Sequence, residues 1–416
     1  MSLETPIETP VETPEEPRKR FYINRNFALL ASGQAISNIG DFVYYTTLLV
    51  WVFALTHSAT AVSGVLVAQY VPIFVLGPVA GVFVDRWNRR TTMVVTDLLR
   101  MGVALLPLAL PGDLRLPGIY VSVFLISTFS RFFLPARSGV LQVIVSNEQQ
   151  GQAASISQAT FALAFIIGPA IASPLYFLVG PVIACLINAV SYLVSALCLL
   201  CIRASKESLR PFVASERSGL RAIGYELAAG LRFVSRTRVL LIVVAMVLIA
   251  MLGAGALNAL DIIFVSQRLH VSTSLYGPLT AVSGLGTLIG AILGGVLVSR
   301  LKPRLILAGS VLLLGIGLTI YAFQTWYIAA LVLYFFGSIP QGGIDVGFTP
   351  LMLNATPRAM MGRVQSVIET AMYGMSLVSV ALAGYLGQFI PVYVIFAASG
   401  ALIALAGLFA WFALPK

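Results

Sequence analysis

Residues 81–90 read GVFVDRWNRR, and residues 295–304 read GVLVSRLKPR. Each stretch closes an apolar block and opens a basic turn, and the two are offset by 214 positions. Gly151 and Gly362, each opening a later loop-to-helix step, are offset by 211. Nearly constant offsets mean that the second half of the chain repeats the first. Outward from these landmarks the apolar blocks are 27–55, 60–84, 91–110, 118–143, 153–179 and 181–202, then 239–265, 274–298, 305–323, 326–349, 364–387 and 391–413. A helix crosses a bilayer with about 20 apolar residues, so each block is a crossing. Thr56-His57-Ser58, Pro111-Gly112-Asp113 and Gly180-Pro181 supply turns between them.

Composition agrees. Of the 416 residues, 58% are apolar and only 10% charged, against about 25% charged in a soluble globular chain. The formal charge is +10, but the bases lie between apolar blocks rather than on a soluble basic patch, which excludes a nucleic-acid partner. Those bases set the topology. With the N-terminus inside, cytoplasmic segments hold 21 of the 26 Lys and Arg, and outer loops hold only Arg115 and Arg268. The positive-inside rule therefore predicts a multi-pass protein of the cell membrane with both termini cytoplasmic. Residues 1–20, MSLETPIETPVETPEEPRKR, have the Pro/Thr/Glu content of a disordered cytoplasmic tail, not of a signal peptide. The polar stretch 203–238 reads as a cytoplasmic linker between halves 21–202 and 239–416. Cys185, Cys198 and Cys201 share one apolar block, far from His57 and His270. Neither a zinc site nor a disulfide is implied, and no metal or cofactor is expected.

A few charges remain inside the crossings. Asp41 falls about 21 Å into the first crossing at 1.5 Å per residue. A charge at that depth costs several kcal/mol unless paired, hydrated or protonated, which marks Asp41 as a proton-coupling candidate. Gln34, Asn38, Asp41 and Tyr45 share one helix face, a polar stripe expected to line a watery cavity; the alternative is a structural Asp locking the first crossing to a neighbour. Asp97 and Arg100 are spaced i, i+3 for a structural ion pair. Arg131, in the fourth crossing, is a candidate to pair with Asp41, to hold an anionic substrate group, or to form a structural ion pair. Gln341 with Asp345, and Glu369 with Tyr373, share faces of the tenth and eleventh crossings. Asp345 and Glu369 are further proton-coupling candidates, and Gln341 and Tyr373 cavity candidates. Pro340, Gly342 and Gly343 mark a bending point. Asp261 is offset by 220 from Asp41, six positions out of register with the repeat, and is expected at the outer rim.

The pattern Gly81-x-x-x-Asp85-Arg86-x-x-Arg89-Arg90 resembles motif A of the major facilitator superfamily, placed correctly between crossings two and three, with a degraded copy after crossing eight. Asn38-Ile-Gly-Asp41, Leu134-Pro-Ala-Arg137, Asn188-Ala-Val-Ser-Tyr192, Glu226 to Val234 and Gly362-Arg-Val-Gln-Ser366 resemble the branch that holds macrolide-efflux proteins and enterobactin exporters. The resemblance covers about 21–414. Motif C of antiporters is altered: Gly168-Pro169 is kept, and Ala164, Ala172 and Ser173 replace glycines. Arg131 matches motif B only in part, since the glycines that follow are missing. What the resemblance implies is an all-α membrane protein with twelve transmembrane helices in two pseudo-symmetric six-helix bundles. It further implies that Asp85 meets the start of crossing eleven, near Gly362 and Arg363, when the cytoplasmic side is closed, and leaves it when that side opens. Gly81, Asp85 and Arg86 are then gate residues, and Arg89 and Arg90 are either gate residues or a solvated basic loop.

The expected function is secondary active transport by alternating access, with a proton-coupled exporter (an antiporter) of bulky lipophilic compounds such as drugs, macrolides or siderophores leading. Its partners would be that substrate, protons and the bilayer, and the chain is expected to be a monomer. A lipid or lysophospholipid flippase of the same fold is the alternative. A membrane-embedded enzyme is disfavoured, because no histidine shares a crossing with the buried acids.

Overall fold

A computed structural model describes residues 23–203, 220–357 and 360–415. The 1–20 tail, residues 204–219 of the 203–238 linker, Arg358 and Lys416 lie outside the described residues. Among the described residues, twelve helices are long and apolar enough to cross a membrane. They are α1 (Arg25–Thr56), α2 (Ala59–Val84), α3 (Arg89–Ala104) with its short continuation α4 (Leu106–Ala109), α5 (Arg115–Ile144), α6 (Gln150–Val179) and α7 (Pro181–Leu200). After the linker helix α8 (Leu220–Arg236) come α9 (Arg238–Gln267), α10 (Tyr276–Leu297), α11 (Pro303–Ala322), α12 (Tyr327–Ala355), α13 (Met361–Leu386) and α14 (Val392–Ala413).

Polar residues at the breaks set the boundaries. The Asn24 side chain caps α1 by accepting from the Phe27 N–H at 2.8 Å. His57 ends that helix in the left-handed region at φ 47°, and Ser58 caps α2. Asn88 caps α3, accepting from the Thr91 N–H at 3.0 Å. Gly180, at φ 77°, turns α6 into α7, where Pro181 occupies a first-turn position that needs no N–H donor.

Two elements differ from expectation. The tenth crossing does not stop at 349 but continues through Pro350 to Ala355; a proline inside a membrane helix is tolerated where neighbours satisfy the freed backbone. Within the linker, α8 is a helix rather than an irregular polar stretch. Its Gly230 and Val234 face α13: a Cβ on Gly230 would meet the Arg363 carbonyl oxygen at 2.7 Å, and Val234 packs with Val364 and Val367. The charges around this apolar stripe mask it in the sequence.

The packing repeats as the sequence does. In the first half α1 packs on α6 and α7, α2 on α5, and α3 on α5 and α7. In the second half α9 packs on α13 and α14, α10 on α12, and α11 on α12 and α14. Each pairing of the first bundle thus has its counterpart six crossings later. The bundles meet where α2 packs on α13 and α6 on α10.

That meeting is uneven along the bundle axis. α1 begins and α14 finishes at one end of the molecule, the terminal end. At the opposite end the halves are in close contact. A Cβ on Gly387 (following α13) would meet Ala59 at the start of α2 at 2.9 Å, and one on Gly384 would meet Cβ of Ser63 at 2.6 Å. Thr60 donates to the Gly384 carbonyl at 2.9 Å, and Gln388 donates to Thr60. Gly277 of α10 lies against the Pro169 carbonyl of α6. At the terminal end, nothing lies within 4 Å of a Cβ placed on Gly81 or on Gly362. Among the described residues, the close glycine contacts between the halves are thus at one end, and the motif glycines at the other make none.

Candidate functional site

Inside the first bundle, Gly40 lets α1 approach α7 closely: a Cβ there would meet Ser191 Cβ at 2.8 Å and Asn188 Oδ1 at 2.9 Å. Asp41, the next residue, is therefore turned to α7, where the Tyr192 hydroxyl donates to its carboxylate and the Asn188 side chain lies beside it. Arg100 of α3 pairs with Asp97, and its guanidinium sits 4.5 Å from the ring centroids of both Tyr192 and Phe133. Asp97 and Arg100 are buried. The expected Asp97–Arg100 pair is present, but it is part of a larger network of two carboxylates and one guanidinium, tied together by Tyr192.

The residues of the polar stripe differ in exposure. Gln34 is buried, at 8% exposure, while Asn38, Asp41 and Tyr45 are half-buried. On the flank of the stripe, Gly33 and Gly40 bring α1 close to α7: a Cβ on Gly33 would meet Cys198 Cβ at 3.1 Å. Arg131 does not pair with Asp41; Arg100 holds that place. Arg131 instead lines a cavity of about 60 Å³ between the bundles, with Ile73, Pro78, Ser366, Glu369 and Tyr373. The Tyr373 ring packs edge-on against Tyr70 of α2, centroids 6.2 Å apart. Gln365 donates to Glu369 at 2.9 Å. This cavity joins side chains that sequence spacing could only assign to separate crossings.

On α12, Gln341 and Asp345 are exposed. Phe348 and Met352, one and two turns on, pack towards α9 and α13. The glycines expected to bend this helix serve close packing instead: a Cβ on Gly342 would fall on the α10 backbone, and one on Gly343 on Ser310.

The residues of the Gly81–Arg90 motif divide between two tasks. Asp85 and Arg86 are exposed at the open end. Arg363 lies 3.7 Å from Glu226 of α8, so the expected approach of Asp85 to Gly362 and Arg363 is not made in this conformation. Arg89 and Arg90 are neither gate residues nor a solvated loop here. Arg89 donates to the Gly139 carbonyl at 3.4 Å. Arg90 donates to the Leu199 carbonyl at 2.9 Å and to that of Leu200. A cation on the last carbonyls of α7 is favoured by the helix dipole. Both arginines brace α3 against its own bundle.

Asp261 is the clearest departure. It lies six residues from the end of α9, about 9 Å at 1.5 Å per residue, yet it is buried, at 4% exposure. The Tyr334 and Tyr321 hydroxyls donate to its two carboxylate oxygens at 3.1 and 3.3 Å. It is not a rim charge, because the start of α10, the end of α11 and the start of α12 converge over it.

What the sequence reading missed in both bundles is tyrosine. Asn188, Ser191 and Tyr192 are spaced i, i+3, i+4 and so share a face, a signal for the partner of Asp41. Tyr321 and Tyr334 sit in different crossings, and no local pattern joins them to Asp261.

Residues 22–416 match a family described as "Transmembrane secretion effector". The chain is 28% identical over 397 residues to the uncharacterized MFS-type transporter YfiS of Bacillus subtilis, covering 93% of each chain. It is 27% identical over 305 residues to macrolide efflux protein A of Streptococcus pyogenes, covering 71% of this chain and 72% of that one. In fold it is similar to the crystal structure of a bacterial homologue of the iron transporter ferroportin in its inward-facing state, with a TM-score of 0.74 at 14% identity, over 94% of this chain and 99% of that one. With its repeated six-helix bundles and this match over nearly its whole length, the chain belongs to the transmembrane secretion effector family of major facilitator transporters.

Proposed function

We propose that the chain is a proton-coupled exporter of bulky lipophilic small molecules, working by alternating access between halves 21–202 and 239–416. The observation that carries this reading is the uneven meeting of the bundles, sealed at one end and parted at the other, with the Arg131–Glu369–Tyr373 cavity between them. By the positive-inside rule the parted end faces the cytoplasm, so the conformation is the one that loads cargo from inside the cell membrane. Asp85 would then meet the start of α13 in the opposite conformation.

Coupling is assigned to the network around Asp41. Two carboxylates against one guanidinium in a low-dielectric interior reach neutrality by holding one proton. Asp345 and Glu369, facing the open end, offer transient proton sites. The likeness to macrolide efflux protein A supports an outward direction and an amphipathic cargo, and a single chain with a complete pair of bundles supports a monomer. The test is efflux of a fluorescent macrolide or dye from vesicles carrying an imposed proton gradient. Wild-type efflux is expected to stop when the gradient is collapsed, and Asp41→Asn to lose coupled efflux at least tenfold. Undiminished transport by both after collapse would remove proton coupling.

A second reading has one observation in its favour. A groove of about 620 Å³ between α3 and α5 has an apolar floor of Val95, Leu99, Phe129 and Phe132 and a polar rim of Arg86, Asn88 and Thr91, a shape that suits a lipid approaching sideways. Headgroup movement in proteoliposomes without added drug would favour flipping over export.

A further inference from the structure

The buried carboxylates of the two bundles have different company. Asp41 and Asp97 share Arg100. Asp261 forms no ion pair with any lysine, arginine or histidine among the described residues. Arg268, two turns further along, is engaged elsewhere: its guanidinium stacks 4.5 Å over the Tyr393 ring and donates to the Phe323 carbonyl at 3.3 Å. The groups that face Asp261 are phenols. Tyr321 comes from α11 and Tyr334 from α12, and Tyr276 at the start of α10 lies within its electrostatic reach. The surrounding core takes apolar side chains from α1, α13 and α14, among them Val52, Val380, Ala383 and Phe396. The ring stack of Tyr321 on Tyr334, with centroids 4.8 Å apart, and of Phe264 on Phe396, at 4.9 Å, keeps water out.

An uncompensated carboxylate in such a site is costly, whereas a carboxylic acid is not. Phenol hydroxyls suit both states: they donate to a carboxylate, and one can accept from the acid O–H when the proton is present. The setting also has a route of phenols inwards. Tyr276 lies near Tyr70 of α2 as well as near Asp261, and Tyr70 packs on Tyr373, which lines the central cavity.

Asp261 also sits between the two contacts that close the outer end. Its neighbour Leu260 lies 3.4 Å from a Cβ placed on Gly387, which itself faces Ala59 of α2. Tyr276 adjoins Gly277, which rests on Pro169 of α6. Parting of either contact brings water towards the carboxylate.

We propose that Asp261 is a second proton-binding site, in the second bundle, that holds a proton while the outer end is closed and releases it when that end opens. The proton moves as H⁺ between the acid and water, with no redox step, so each half of the chain then carries one enclosed proton site, besides the exposed Asp345 and Glu369. This rests on the proton-coupled reading above, which it extends from one site to two.

The test is infrared difference spectroscopy of the purified full-length protein across pH, reading the carboxylic acid C=O band, alongside the vesicle efflux assay. Beside the bands of the exposed acids, wild type is expected to show two components from buried carboxylic acids. Asp261→Asn should lose one and keep the other, and Asp41→Asn should do the converse. Tyr334→Phe keeps the ring stack but removes one donor to the carboxylate, and should extend the Asp261 component to higher pH, which gives a readout even where Asp261→Asn folds poorly. An unchanged band in Asp261→Asn, or an unmoved one in Tyr334→Phe, overturns the proposal. Gradient-driven efflux together with an unchanged band defeats the second site and leaves the proposed function standing. Gradient-independent efflux with the Asp261 band lost on substitution defeats proton-coupled export and leaves the site in place.

Discussion

The two ends of the molecule are closed by different physics. At the closed end the bundles meet through shape: Gly277, Gly384 and Gly387 let backbone and small side chains touch, and Thr60 and Gln388 add two hydrogen bonds. No charge takes part in these contacts. At the open end the equivalent surfaces carry Asp85, Arg86, Glu226 and Arg363, with Asp85 and Arg86 exposed. Contacts built from shape are dry and close-fitting, and they form or fail together. Contacts built from exposed charge are weaker and remain stable when hydrated. Under the proposed alternation of access, an end that seals against the outside would use the first kind and an end that opens into water the second.

The sharpest way to break this contrast is to fill the closed end. In Gly277→Val the new side chain lands on the Pro169 carbonyl, which is backbone and cannot move aside. Overpacking of about 1–3 kcal/mol is expected, which transfers most molecules to the form open at the opposite end. Distances between spin labels placed across that end should lengthen; an unchanged distribution would mean that the glycine contact is not what seals it. Thr60→Val is milder. It removes the donor to Gly384 and the acceptor for Gln388 and should weaken closure by about 0.5–1.5 kcal/mol, seen as a smaller shift in the same distribution. The smallest effect is expected at the other end. Asp85→Asn should leave the thermal stability of this conformation unchanged, because Asp85 is exposed. It should withdraw about 0.3–1 kcal/mol of helix-dipole stabilisation from the alternative one. Transport would fall a few-fold with the melting temperature unmoved, whereas a lowered melting temperature would assign Asp85 a bracing role like that of Arg90.

The fold was largely legible because membrane solvation writes it into composition: twelve apolar blocks and a one-sided distribution of Lys and Arg leave few alternatives. The repeat between Gly81–Arg90 and Gly295–Arg304 then predicted the two bundles, and the packing pairs recur in that order. The helix α8 was missed because its apolar face, around Gly230 and Val234, is embedded among charges. The site was legible only in part. Local spacing found the Asp97–Arg100 pair, since i and i+3 belong to one helix. It offered Asp41 as one of three possible partners for Arg131 and put Asp261 at the rim, and neither placement is found, for the same reason. Depth along a helix says how far a residue is from the end, but not what the neighbouring helices place over it. Tyr192, Tyr321 and Tyr334 supply those neighbours, and their sequence separations from the acids, 151, 60 and 73 residues, lie beyond any helical period.

The recurrence of the same helix pairings in each bundle bears on how the chain is made. When the sixth crossing has been inserted, every pairing that α1, α2 and α3 form with α5, α6 and α7 is already available, before any residue of α9 exists. The α2–α13 and α6–α10 faces, with smaller contacts of α1 and α2 on α9, wait for the second half. Assembly in the membrane is thus a matter of two successive, nearly self-sufficient foldings followed by one docking. The surface left for that docking is the one on which the proposed alternation of access would act.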